Sequence, residues 1–215
     1  MDLGTGTGAV ALLAARNGAK VTALDLAPAM IEQARANAER DGLDVHFDVG
    51  DAQALPYDDA SFDVVTSCFG VVFAPRREDV ARELTRICRS GGRLALTAWR
   101  PKPALKAIYQ RFQDAPPSSE NTDWGAEGFV ESLLGEAFDL QVEERVWHLE
   151  GDSPEGVYEF LRESAPPMAA FLARLDPDRR EGFHRACVEH WSRLLDEDGR
   201  VREPRPYILV TGTRR

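Results

Sequence analysis

The chain has 215 residues, and its 36 acidic and 26 basic side chains give a formal net charge of −10 at pH 7. This length suits one domain with a sizeable core, and the acidic balance argues against nucleic acid as the main partner. Three scattered cysteines, with no secretory leader and no apolar run long enough for a membrane span, predict a cytoplasmic protein with free thiols.

Short apolar runs alternate with helical segments in the first half of the chain. We expect strands at 1–3, 21–26, 45–49, 62–68 and 93–99, and helices at 7–17, 29–40 and 78–89. Strands that alternate with helices favour a parallel sheet covered on both faces. In such a sheet, ligands bind beyond the carboxyl ends of the strands.

The second half of the chain is less regular. We expect helices at 101–113, 127–138, 153–164 and 177–196, and strands at 140–149 and 207–213. Without a repeat or a linker, residues 1–215 are predicted to form a single domain with halves at 1–100 and 101–215. The polar, Pro/Ser-rich segment around 113–127 has the composition of a mobile lid.

Three alternating glycines, Gly4, Gly6 and Gly8, follow Asp2 and lead into an Ala-rich apolar stretch. This pattern predicts a strand end, a tight turn and a helix start, because glycine allows sharp turns and close backbone approach. The N-terminus of the following helix adds unpaired N–H groups and a positive dipole end. Such a corner suits an anionic or carboxylate-bearing ligand.

Two further carboxylates come at the ends of the next two predicted strands. Asp25 can accept hydrogen bonds from the hydroxyls of a ribose, and Asp51 can read the amino edge of an adenine. Together with the glycine corner, they indicate a nucleoside with a polar tail. The simpler alternatives are a helix-capping role for Asp25 and an ordinary loop role for Asp51.

Six short segments stand in an order that resembles the class I S-adenosylmethionine-dependent methyltransferases. They are residues 2–8, 21–25, 50–53, 55–57, 61–65 and 91–94. The similarity is greatest to the small-molecule branch that includes ubiquinone- and menaquinone-type enzymes, and it spans about residues 1–100. It implies a Rossmann-like α/β fold, doubly wound, with a seven-stranded, mostly parallel sheet, an antiparallel last strand and helices on both faces. It also implies S-adenosyl-L-methionine as cofactor, S-adenosyl-L-homocysteine as product and a small-molecule methyl acceptor.

The resemblance assigns cofactor-binding roles to the residues that match its motifs. The turn around the methionine tail consists of Gly4, Thr5, Gly6 and Gly8, with Asp2 bracing it. Asp25 binds the ribose hydroxyls, flanked by Leu26 and Met30. Asp51 and Ala52 hold the adenine with Gln53 nearby, and Cys68 and Phe69 border the methionine end and the reacting methyl group.

Four aromatic residues are candidates for the acceptor pocket, with core packing as the alternative: Phe73, Trp99, Tyr109 and Trp124. The sequence assigns no general base, and it leaves open whether oxygen, nitrogen, carbon or sulfur is methylated. The oligomeric state is equally open.

Two other functions fit parts of the pattern. Gly4-x-Gly6-x-x-Ala9 satisfies a dinucleotide fingerprint, so a nicotinamide oxidoreductase is an alternative, although the acid before the corner and Asp51 favour a mononucleoside. The second alternative function is that of a cofactor-binding module with weak or no catalysis. His184, Cys187 and His190 could suggest a metal site, but at this spacing they spread too widely around a helix, so no metal site is expected. Cys187 is instead predicted to lie in the core.

The position of the glycine corner differs from the family pattern. Related chains carry a helix and the first half of the central strand before this motif, whereas here Met1 directly precedes Asp2. We therefore expect a gene start further upstream or a trimmed chain.

Overall fold

The structure is a computed structural model that describes residues 1–113 and 123–215. Its strands are β1 Asp2–Leu3, β2 Val21–Asp25, β3 Val45–Val49, β4 Phe62–Cys68, β5 Cys88–Trp99, β6 Phe138–Gly151 and β7 Val201–Arg214. Its α-helices are α1 Ala9–Arg16, α2 Pro28–Asp41, α3 Arg77–Ile87, α4 Pro103–Arg111, α5 Phe129–Leu134, α6 Pro154–Ser164, α7 Pro166–Leu172 and α8 Pro177–Ser192. Short 3₁₀ turns lie at Val71–Phe73 and Asp123–Gly125.

The seven strands form one sheet in the order β3-β2-β1-β4-β5-β7-β6. Strand β1 pairs in parallel with β2 on one side and β4 on the other, and the β2–β3 and β4–β5 pairs are also parallel. Strand β7 pairs antiparallel with β5. The predicted doubly wound sheet with an antiparallel last strand is therefore confirmed, and the chain reverses its direction of winding beside β1.

The chain divides into two compact units. The first comprises Met1–Arg100, Ser119–Arg145 and Tyr207–Arg215, and the second comprises Pro101–Ser118 and Val146–Pro206. In the first unit, apolar side chains of α1 and α2 pack with β2 and β3 in one cluster, and those of α3 and α5 pack with β4 and β5 in another. These clusters supply the helical layers expected over the sheet.

The second unit has its own apolar core. Phe183, Cys187 and Trp191 project from α8 into this core and are each at most 1% exposed. The prediction that Cys187 packs in the core is confirmed. None of the helices in the described ranges combines the length and apolarity needed to cross a membrane.

Several boundaries differ from the sequence prediction, among them those at the ends of α3 and α5. Helix α3 ends at Ile87, and β5 begins at once with Cys88, which pairs with Phe62. The register shifts between 62 and 64, so the Gly91-Gly92 pair marks an irregularity within the strand rather than the end of the helix. The helix predicted at 127–138 is only α5, because Phe138 already belongs to β6.

Candidate functional site

The side chain of Asp2 holds in place the glycine turn that follows β1. Its side chain is buried, and its carboxylate accepts hydrogen bonds from the hydroxyls of Thr5 at 2.7 Å and of Thr66 at 2.8 Å. Burial raises the pKa of Asp2 above its usual value, and the two hydroxyls partly oppose that shift. The carboxylate thus connects the glycine turn to β4.

The glycine turn has the left-handed backbone that its sequence predicts. Gly4, Gly6 and Gly8 all have positive φ angles, of 62°, 56° and 92°. The backbone N–H of Thr5 donates to Leu24 O at 3.1 Å, which fixes the turn against β2. A Cβ built on Gly6 would meet no atom within 4 Å, so the face of the turn is open to a ligand.

Asp25 lies directly against this turn. One of its oxygens accepts from the backbone N–H of Gly6 at 2.8 Å, and the other accepts from that of Ala27 at 2.9 Å. A carboxylate can accept about four hydrogen bonds, so capacity remains for two hydroxyl groups. Next to it, Leu26 is 70% exposed and Met30 is partly buried.

Asp51 follows β3, and its loop is tied to the end of β2 by a hydrogen bond from Gly50 N–H to Asp25 O at 3.0 Å. The carboxylate of Asp51 accepts from the backbone N–H of Gln53 at 2.9 Å and from its side-chain amide at 2.8 and 2.9 Å. Ala52 between them is partly buried. The ends of β1, β2 and β3 therefore bring the glycine turn and both carboxylates to one edge of the sheet.

Two residues of α3 hold the rest of this loop. Glu83 accepts from Leu55 N–H at 2.8 Å, and the Arg86 guanidinium donates to Leu55 O at 3.1 Å and Tyr57 O at 2.6 Å. The hydrogen bond from Arg86 lowers the pKa of Glu83, with help from the Leu55 N–H and against the effect of burial. The charged pair is therefore a fixed clamp on the loop, a role that sequence reasoning missed.

Cys68 is the last residue of β4, and Phe69 follows it directly. Cys68 is exposed, and its sulfur lies 3.7 Å from the Thr97 hydroxyl, which also accepts from Phe69 N–H at 3.0 Å. Phe69 has a left-handed φ of 55°, unusual for a bulky side chain. Its ring stacks on Trp99 with centroids 4.0 Å apart, and Tyr207 meets both rings edge-on.

The four acceptor-pocket candidates have different environments. In the first unit, Phe73 is 50% exposed, Trp99 is partly buried and Trp124 is 1% exposed. Within the described residues, the Trp124 indole N–H has no hydrogen-bond partner. Tyr109 lies in the second unit beside two phenylalanines, and burial raises its pKa to about 12. Most of the predicted lid, 114–122, lies outside the described residues.

Sequence reasoning also missed Ser67 and Gly70. The Ser67 hydroxyl donates to Leu3 O at 2.8 Å and accepts from Val71 N–H at 3.0 Å, which links the end of β1 to the segment after β4. Gly70 lies against Gly4. A glycine just beyond a strand end was the available signal for such a close backbone approach.

This arrangement fits an adenosyl group with an amino-acid tail. The open face at Gly6 admits a ligand, Asp25 retains acceptor capacity beside it, and Asp51 follows the neighbouring strand. The fold is that of a Rossmann-like protein, in which ligands bind beyond the carboxyl ends of the strands.

Comparison with known proteins shows a similarity to one family over the N-terminal part of the chain. Residues 1–96 match the family described as "Methyltransferase domain". An uncharacterized protein of Mycobacterium tuberculosis is 37% identical over 150 residues, which cover 63% of this chain and 52% of that protein. Demethylmenaquinone methyltransferase of Thermus thermophilus is 43% identical over 116 residues, which cover 52% of this chain and 53% of that protein. The chain thus spans about half the length of these curated relatives.

Solved structures support the fold. The YcgJ protein of Bacillus subtilis superposes with a TM-score of 0.68 at 18% identity, covering 100% of this chain and 90% of that one. Phosphoethanolamine N-methyltransferase 2 of Haemonchus contortus, solved with S-adenosylhomocysteine, superposes with a TM-score of 0.61 at 18% identity. The superposition covers 99% of this chain and 48% of that one. Residues 1–96 are thus similar to the methyltransferase domain family and, through the Thermus thermophilus relative, to its quinone-type members; this similarity supports S-adenosylmethionine as the cofactor.

Proposed function

We propose that this protein transfers a methyl group from S-adenosylmethionine to a small-molecule acceptor by in-line displacement. The hydrogen bond from Gly6 N–H to Asp25 carries the proposal. It joins the turn expected to hold the amino-acid tail to the carboxylate expected to hold the ribose. A methyltransferase must hold both parts of its cofactor in place so that the reacting methyl group points at the acceptor atom.

The bound cofactor would supply an activated methyl group on a positively charged sulfur. The work of this chain is then to hold and orient the two reactants. Proximity and orientation can lower a barrier by roughly 7–11 kcal/mol in favourable cases. Asp2 and Thr5 keep the turn rigid, and Phe69, at the end of β4, is our candidate for bordering the methyl group. We assign no general base, because one is needed only when the acceptor must lose a proton before attack.

The acceptor is proposed to be a small molecule, and quinol precursors are the first class to test. Two relatives carry such names: the demethylmenaquinone methyltransferase of Thermus thermophilus and the ubiquinone/menaquinone biosynthesis C-methyltransferase of Dinoroseobacter shibae. The stacked Phe69 and Trp99 rings offer a flat apolar surface that suits a planar acceptor. Free thiols at Cys68, Cys88 and Cys187 suit a reducing compartment, which supports a cytoplasmic location.

Titration calorimetry with S-adenosylhomocysteine and, separately, with NAD tests the cofactor. We expect binding of the first compound alone; binding of NAD alone would favour the oxidoreductase alternative. A methyl-transfer screen over quinol precursors, phenols and amines then tests the activity. Tight cofactor binding without transfer to any acceptor would instead favour a cofactor-binding module that has lost catalysis.

A further inference from the structure

Gln53 is buried in the loop after β3, with its side-chain amide between two groups of opposite hydrogen-bonding character. Its Nε2 lies 2.9 Å and 2.8 Å from the two carboxylate oxygens of Asp51. Its Oε1 accepts from the backbone N–H of Arg76 at 2.8 Å. A flipped amide would set oxygen against carboxylate and N–H against N–H, so one orientation alone satisfies both neighbours.

This amide determines which part of Asp51 remains available. Oδ1 accepts from both the backbone N–H and Nε2 of Gln53, which fills its two lone pairs. Among the described residues, Oδ2 accepts only from Nε2 and keeps one lone pair. One acceptor held in a fixed direction suits a single N–H donor, such as the 6-amino group of adenine. It repels a carbonyl oxygen at the same place.

The other end of the Gln53 amide reaches the segment between β4 and α3. Arg76 immediately precedes α3, and this segment begins at Phe69, our candidate for bordering the methyl group. At its start, Val71 N–H donates to Ser67 Oγ at 3.0 Å. Gln53 therefore connects the adenine carboxylate to the segment that borders the proposed reaction centre.

The remainder of the loop does not depend on Gln53. Leu55 and Tyr57 are held by the Glu83–Arg86 clamp on α3. Replacement of the Gln53 side chain is therefore expected to loosen the Asp51 carboxylate, which keeps only the hydrogen bond from the backbone N–H of residue 53, while the loop stays in place.

We propose that Gln53 is a positioning residue that sets the selectivity of this site for a 6-amino purine over a 6-oxo purine. It does so by saturating one oxygen of Asp51 and orienting the other, without itself contacting the purine. The inference rests on the proposed function, since it concerns the nucleoside of the proposed cofactor.

The test compares two ligands by titration calorimetry: S-adenosylhomocysteine and S-inosylhomocysteine, which carries a 6-oxo group in place of the 6-amino group. We expect the wild-type protein to prefer the first. In Gln53→Met, affinity for S-adenosylhomocysteine should fall about tenfold, the scale of a lost hydrogen bond to a charged group, and the preference should shrink. The matched control is Gln33→Met, whose exposed amide bonds only to Asn37 on the same helix among the described residues.

The ratio of the two affinities separates positioning from general damage. A purely structural defect would weaken both ligands equally and leave the ratio unchanged, and that result would overturn the proposal. Should Gln53→Met fail to fold, Gln53→Glu keeps the shape but sets a second carboxylate against Asp51, and it too should lose selectivity. A wild-type protein that binds neither ligand would refute the proposed function; one that binds S-adenosylhomocysteine with an unaltered ratio in the variants would refute this inference alone.

Discussion

The backbones of Gly4 and Gly70 touch. A Cβ built on Gly4 would lie 2.5 Å from Gly70 Cα, and one built on Gly70 would lie 2.7 Å from Gly4 Cα. Both distances are well inside van der Waals contact, so neither position accepts a side chain. Gly4 opens the turn after β1 and Gly70 follows β4, and these strands are neighbours in the sheet. The position of the turn therefore depends on the segment after β4.

Gly70→Ala should damage both stability and cofactor binding. The new methyl group would collide with the backbone of Gly4 and with Leu3 O, none of which can swing away. We expect a loss of about 1–3 kcal/mol in the free energy of unfolding, the usual range for overpacking, and weaker binding of S-adenosylhomocysteine because the turn shifts. Urea denaturation and calorimetry measure the two effects.

Gly156→Ala is the control for this substitution. Gly156 lies in the first turn of α6, where an added Cβ would meet only the Ser153 hydroxyl, at 3.2 Å. Alanine favours a helix by up to about 1 kcal/mol over glycine, which offsets the small shift that the Ser153 hydroxyl must make, so stability should change little. Normal stability and ligand affinity in Gly70→Ala would show that the contact between the two glycines has no role.

The sequence predicted those elements whose hydrophobic pattern is bounded by clear turn signals. The bounds of β3 and β4 agree with the prediction because alternating or apolar runs there end at polar or glycine residues. A helix was predicted at 153–164, and the Ser153 hydroxyl caps α6 there by accepting from Gly156 N–H. Helix α7 was not predicted: it begins at Pro166, where proline suits a first turn but reads in sequence as a break.

The candidate site was predictable in part, for a physical reason. Strand-end carboxylates such as Asp25 and Asp51 follow from the local pattern and the rule that ligands bind at these ends. Contacts between distant segments leave no local pattern. The close approach of Gly4 to Gly70 and the hydrogen bond from Leu55 N–H to Glu83 depend on packing that only the folded chain reveals.

Asp25→Ala should weaken cofactor binding. The substitution removes the carboxylate that accepts from Gly6 N–H and that is expected to accept the ribose hydroxyls. We expect a loss of about 1–3 kcal/mol in the binding free energy of S-adenosylhomocysteine, because hydrogen bonds to a charged group are left unmade. The control, Asp44→Ala, removes an exposed carboxylate just before β3, away from its carboxyl end. Unchanged calorimetric affinity would remove Asp25 from the site.

Phe73→Ala tests the predicted acceptor contact. Phe73 ends the 3₁₀ turn after β4 and is 50% exposed, so its removal should cost little stability. We expect a higher KM for the acceptor with an unchanged Kd for S-adenosylhomocysteine. Phe160→Ala in the second unit is the matched control, because that ring is 53% exposed. Equal acceptor KM values in the two variants would count against a substrate role for Phe73.

Arg86→Lys should loosen the loop that carries Asp51. Lysine cannot reproduce the forked hydrogen bonds that Arg86 makes to Leu55 O and Tyr57 O. We expect faster amide exchange across the loop and a loss of about 1–2 kcal/mol in stability. Arg82→Lys, which alters an exposed pair with Asp79, should change neither measurement by much. Exchange rates equal in both variants would show that the clamp is dispensable.

Glu203 is the centre of a charged cluster in the second unit and is only 4% exposed. Its carboxylate accepts from Lys102 at 3.0 Å and from Arg205 at 2.9 Å, and it lies 3.3 Å from both His190 Nε2 and Trp191 Nε1. Burial alone would raise the pKa of Glu203, but the hydrogen bond to His190 and the charges of Arg205 and Lys102 outweigh it. The pKa is therefore held well below its ordinary value.

The stabilisation from Glu203 should fade in acid. Because its pKa is lower in the folded state than in the unfolded chain, the stabilisation is complete above about pH 4.5 and falls by about 1.4 kcal/mol per pH unit below it. Glu203→Gln should lose about 3 kcal/mol at pH 7, since Lys102 and Arg205 are left without their buried counter-charge. In urea titrations, its deficit against wild type should shrink between pH 4.5 and 3.5. Glu159→Gln, in an exposed pair with Arg162, should cost under about 1 kcal/mol at pH 7. A Glu203→Gln deficit that stays constant down to pH 3.5 would contradict the lowered pKa.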